Sequence, residues 1–96
     1  MLKENFVPKL NPNILKRYEE SIEDGVLFLF DIKTENVWMG NKNSNDLLKL
    51  INGSNSLKEI YNILIPFYED FTYGEIKHSF DAVIEDLLER NFIEIL

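Results

Sequence analysis

The stretch Thr72 to Arg90 constrains this chain more than any other. Thr72 followed three residues later by Glu75 is a capping box, in which each side chain reaches an orphan N–H of the first helical turn. Beyond it Ile76, Phe80, Val83, Ile84, Leu87 and Leu88 recur at helical spacing. At about 100° per residue, they and Tyr73 cover an arc of roughly 140°, wider than one packing seam needs. Ile76, Phe80, Val83 and Leu87 are expected near the middle of that arc. Ile84 and Leu88 are expected on one flank, with Lys77 between them. A core helix with a generous apolar face accounts for the pattern. A helix whose flank also lines a groove would account for its width.

The rest of the chain must supply what that helix packs against. Ninety-six residues make one small domain, able to bury about 60% of its unfolded surface and hold a core without covalent staples. There is no cysteine, which removes disulfides, thiol nucleophiles and thiolate metal sites. No apolar run approaches ~18 residues, and MLKENFVPKLNPN lacks the apolar middle of a signal peptide. The expectation is a soluble, cytoplasmic protein with no membrane partner. The net charge of −7 is unevenly placed: residues 1–20 carry four basic and three acidic side chains, residues 54–96 three basic and nine acidic.

Residues 1–13 hold two prolines and three asparagines without periodicity, and read as an extended N-terminal arm. Ile14 to Glu20 is a candidate first strand, and Glu23-Asp24-Gly25 a turn. Val26 to Phe30 is apolar on both parities, which predicts a strand covered on both faces or lying centrally. Lys33 to Asn36 reads as a polar turn and Val37-Trp38-Met39 as a short third strand. From Gly40 the period changes. Asn41 or Asn43 can cap a helix carrying Leu47, Leu48, Leu50 and Ile51, which Asn52-Gly53 would stop. Ser56 with Glu59 forms a second capping box, before Leu57, Ile60, Tyr61 and Leu64. Pro66 should end or bend that helix near Ile65. Asn91 can cap the last helix, and Phe92 to Leu96 reads as an apolar tail or short strand. The predicted class is α+β: a three-stranded antiparallel sheet followed by three helices, like a winged helix-turn-helix.

Several of these segments together resemble the PqqD-like family. They are Val26 to Asp31, the turn, Val37-Trp38-Met39, Asn41, and Leu47-Leu48 with Leu50-Ile51-Asn52-Gly53. Ser56 to Ile60 and the final helix ending Leu87-Leu88-Glu89-Arg90-Asn91-Phe92-Ile93 continue the likeness. It spans residues 14–96, and its motifs are structural punctuation rather than chemistry. Gly40 departs from the aliphatic residue preferred there, Asn52 from aspartate and Asn91 from glycine.

The resemblance implies a RiPP recognition element. Such a domain is non-catalytic and holds the leader of a ribosomally made precursor peptide while a separate enzyme, often a radical enzyme, modifies the core. The leader adds as a strand beside the third strand, in a cleft closed by the third helix. An edge strand offers unpaired N–H and C=O groups that any peptide backbone can satisfy, and alternate side-chain pockets give selectivity. The peptide-binding residues so implied are Asn36, Val37, Trp38, Met39, Lys77, Phe80, Ile84 and Leu88. A period of two leaves open whether Trp38 or the pair Val37 and Met39 faces the cleft.

Catalytic, metal and cofactor readings find little to stand on. His78 is the only histidine and falls on the polar side of the last helix. Asp81, Glu85, Asp86 and Glu89 spread round that side without metal-ligand spacing. No glycine-rich phosphate loop exists. The competing function is a winged-helix DNA-binding regulator, whose last helix would enter the major groove. Its polar face would carry Glu75, Asp81, Glu85, Asp86 and Glu89 against Lys77 and Arg90, and carboxylates oppose phosphate binding. The expectation is no nucleic-acid partner. An adaptor that contacts only a partner protein is the remaining alternative.

Overall fold

The computed structural model describes residues 2–96. Strands β1 (Pro8–Leu10), β2 (Ile14–Glu19), β3 (Val26–Asp31) and β4 (Val37–Gly40) precede helices α1 (Lys42–Leu50), α2 (Leu57–Leu64) and α3 (Tyr73–Glu89). Strand β5 (Ile93–Ile95) follows. β2, β3 and β4 form an antiparallel sheet in that order, so β3 is central and β4 lies at an edge. Leu27, Leu29 and Trp38 are buried on the face that carries the helices. The opposite face is uncovered: Leu15, Phe30, Val37 and Met39 are exposed there. Strand β3 is apolar on both parities because it is central, not because both of its faces are covered. A sheet with its helices gathered on one side is an α+β arrangement.

The helix ends follow the capping chemistry. Asn41, rather than Asn43, caps α1 by accepting from the Ser44 N–H. Both capping boxes form, Ser56 with Glu59 and Thr72 with Glu75. Pro66 ends α2 at Leu64, and the chain tightens into a 3₁₀ turn over Ile65–Phe67. At the end of α3, Asn91 takes the left-handed φ of 63°. The Phe92 N–H then donates to the Leu87 carbonyl and the Asn91 N–H to that of Leu88, a Schellman arrangement. Asparagine is among the few non-glycine residues that adopt this backbone cheaply.

The segment read as an arm is built into the fold. β1 pairs antiparallel with β5 in a separate two-stranded sheet, Lys9 opposite Glu94. The carbonyls of Phe6 and Glu4 accept from Leu57 and Lys58, two first-turn N–H groups of α2. Helix N-termini leave such donors without partners, and here the arm supplies the acceptors. Phe6 packs against the core and Pro8 is fully buried.

Candidate functional site

Strand β4 is held to the sheet on one side only. The Asp31 N–H donates to the Asn36 carbonyl at 2.9 Å, and the register places Phe30 opposite Val37 and Leu29 opposite Trp38. Backbone pairs in an antiparallel ladder alternate between hydrogen-bonded and non-bonded. The phase set at Asn36 therefore turns the N–H and C=O of Trp38 toward β3. Those of Val37 and Met39 turn outward, to the free edge.

Side-chain parity is equally definite. Trp38 points inward, and its indole Nε1–H donates to Asp86 Oδ2 at 2.8 Å, joining the edge strand to α3. Asp86 also accepts from Arg90 Nε at 3.1 Å. The indole lies along the strand, because a Cβ at Gly40 would stand 2.6 Å from its ring and 2.7 Å from Ser44 Cβ. Glycine at position 40 makes room for the tryptophan.

A hollow opens at either end of this contact. One, of about 340 Å³, is walled by Leu47, Tyr68, Phe71, Ile76, Phe80 and Val83, with Asn41, Ser44, Glu75 and Ser79 on its rim. The Tyr68 and Phe80 rings meet edge to face, centroids 5.7 Å apart. Burial, and then the charge of Asp46, raises the Tyr68 phenol above its ordinary value. It stays neutral as part of an apolar wall. The other hollow lies among Asn36, Val37, Arg90, Asn91 and Phe92.

The expected residues divide. Asn36, Val37 and Phe80 border these hollows and Trp38 points inward between β4 and α3, whereas the Val37 and Met39 side chains lie on the opposite sheet face. Ile84 is wholly buried and belongs to the centre of the apolar arc, while Val83 is only partly buried and lines the apolar hollow. The expected roles of these neighbours are thus reversed. Lys77 and Leu88 occupy the flank away from β4. Lys77 donates to Asp81 at 2.8 Å, and Asp81 also accepts from the Tyr61 hydroxyl of α2. The bond to Asp81 raises the Lys77 pKa. Burial first, and then Asp81, pushes the Tyr61 phenol far above the usual range. That flank is tied to α2 through Asp81 and Tyr61. The helix ridge beside β4 is Ser79, Val83, Asp86 and Arg90, at i, i+4, i+7 and i+11.

Among the described residues, no three His, Asp or Glu side chains gather where they could hold a metal ion. No helix among them is long and apolar enough to cross a membrane. Compared with protein-family models, curated proteins and solved structures, the chain matches none.

Proposed function

We propose that this protein is a non-catalytic peptide-recognition domain, of winged helix-turn-helix-like build. It captures an extended peptide by strand addition at β4 and delivers it to a separate modifying enzyme. The observation that carries this reading is the unpaired outer edge of β4, where Val37 and Met39 present backbone donors and acceptors, with one hollow beside Asn36 and Val37 and an apolar one beyond the strand's end at Asn41. A strand laid there satisfies those groups with its own backbone, and its alternate side chains enter the hollows against α3. The PqqD-like resemblance names the ligand: the leader of a ribosomally synthesised precursor, with a radical enzyme as one candidate partner.

The solvent face of α3 supports a peptide over DNA. Glu75, Glu85 and Glu89 are all exposed there, and none is neutralised by an ion pair among the described residues. Phosphate-binding affinity comes largely from cations, so this face opposes it. Fluorescence titration at low salt tests the proposal, using labelled leader segments of short precursors encoded beside the protein and a labelled random duplex. Saturable peptide binding without DNA binding is expected. Tight, salt-sensitive duplex binding would overturn the proposal.

A further inference from the structure

The two hollows beside β4 differ in charge. In the one at the Asn36 end, Arg90 is the only charged lining residue. Its side chain is 57% exposed, and only Nε is engaged, by Asp86 at 3.1 Å. Both Nη groups are left to a ligand, in the forked geometry that suits a carboxylate. Asp86 is held from its other oxygen by the Trp38 indole, so the guanidinium is anchored beside the hollow. At the Asn41 end the one charged lining residue is Glu75. Its carboxylate already accepts from the Thr72 N–H and hydroxyl. A second carboxylate there would meet a like charge among apolar walls, which disfavours it.

The spacing between the hollows follows from the strand and the helix. A strand added to β4 turns every second side chain toward α3. These are the residues opposite Asn36, Trp38 and Gly40, because Trp38 itself points to α3. The outer two stand four residues apart, about 13 Å. Along α3, Arg90 lies about 10 Å beyond Val83 and about 16 Å beyond Ser79, both of which line the apolar hollow. A separation of two residues is too short to join the hollows, and one of six too long. Trp38 and Asp86 meet between them, so the middle side chain has to be small. Antiparallel pairing is slightly the more stable per residue, and an antiparallel strand reaches the Gly40 end first.

We propose that Arg90 determines which peptide the β4 edge accepts. It selects a strand that carries an aspartate or glutamate four residues after a bulky apolar residue, with a small residue midway. The inference rests on strand addition at β4 and names the class of ligand that this site prefers.

The test uses labelled synthetic peptides, rich in serine and threonine, that contain Leu-Thr-Ala-Thr-Glu, Leu-Thr-Ala-Thr-Gln or Leu-Thr-Glu-Thr-Ala. The parent should bind the first about three- to tenfold more tightly than either of the others. Arg90→Gln should abolish that preference and Arg90→Lys should keep part of it, with circular dichroism establishing that each is folded. Should Arg90→Gln not fold, the ranking of the three peptides on the parent decides. Amide exchange with the glutamine peptide at saturation reads strand addition separately, through protection of Val37 and Met39. Equal affinity for the glutamate and glutamine peptides, with those amides protected, would overturn the role of Arg90 and leave strand addition standing. A preference that survives Arg90→Gln would overturn it too, since the carboxylate would then sit elsewhere. If no peptide protects those amides, strand addition fails and this inference with it.

Discussion

Replacing Gly40 with alanine sets a methyl group 2.6 Å from the Trp38 ring. The ring or the strand must then shift, at about 1–3 kcal/mol. Urea unfolding should show that loss, and the emission of Trp38, the only tryptophan, should move as its bond to Asp86 is disturbed. Two neighbours in α3 separate core from site. Ile84→Asp buries an unpaired charge and should unfold the domain, a cost of several kcal/mol. Val83→Asp should fold and weaken peptide binding by about 1–3 kcal/mol; the reverse outcome, read by circular dichroism and titration, would refute the placement. The Asp31 carboxylate accepts from the N–H groups of Lys33 and Thr34. The Lys33 bond foremost holds its pKa below the ordinary 3.8. A carboxylate lowered in the folded state contributes stability that is full above its unfolded pKa and is lost as pH falls through the folded one. The urea midpoints of parent and Asp31→Asn should therefore differ at neutral pH and converge in strong acid. Little at this scale was legible beforehand. A period of two fixes alternation but not sign, and the sign rested on Trp38 finding Asp86, 48 residues away. Two clues were present: a glycine two residues after a tryptophan, and an indole that needs an acceptor when buried.

Elements were far more legible than faces, because their signals are local. The capping boxes at Ser56 and Thr72, the break at Pro66 and the turn at Lys33 to Asn36 depend on neighbours a few residues apart. The groove side of α3 does not. Val83 and Ile84 are one helical step apart, and which of them is core depends on where the sheet stands. Lys77 and Leu88, expected beside the cleft, consequently stand on the flank that packs toward α2, and the ridge that faces β4 is Ser79, Val83, Asp86 and Arg90. Strand β4 yields the test that belongs to this scale. Proline can occupy an edge strand only where its missing N–H was unused by the ladder. Trp38→Pro should lose stability in thermal melts. Val37→Pro and Met39→Pro should fold close to normally yet bind peptide at least several-fold more weakly, since each removes an intermolecular hydrogen bond of about 1 kcal/mol and adds a clash.

At the scale of the molecule, the pairing of β1 with β5 draws both ends of the described chain into one clasp, beneath which Phe92 and Ile93 are buried. Three residues without periodicity, pairing across more than eighty, leave no local trace. Phe6 and Pro8 gave no hint that they enter the core. Phe6→Ala should lower the urea midpoint by the equivalent of about 2–4 kcal/mol while leaving peptide affinity per folded molecule unchanged, because Phe6 sits at the start of α2 and lines neither hollow beside β4. Amide hydrogen exchange across the whole chain, with and without a bound leader peptide, tests whether a peptide strand adds at the β4 edge. Unpaired edge amides exchange freely and become protected when a strand is laid on them. The Val37 and Met39 amides should be unprotected alone and strongly protected in the complex, with Trp38 protected in both. Peptide binding that leaves the Val37 and Met39 amides unprotected would contradict strand addition there.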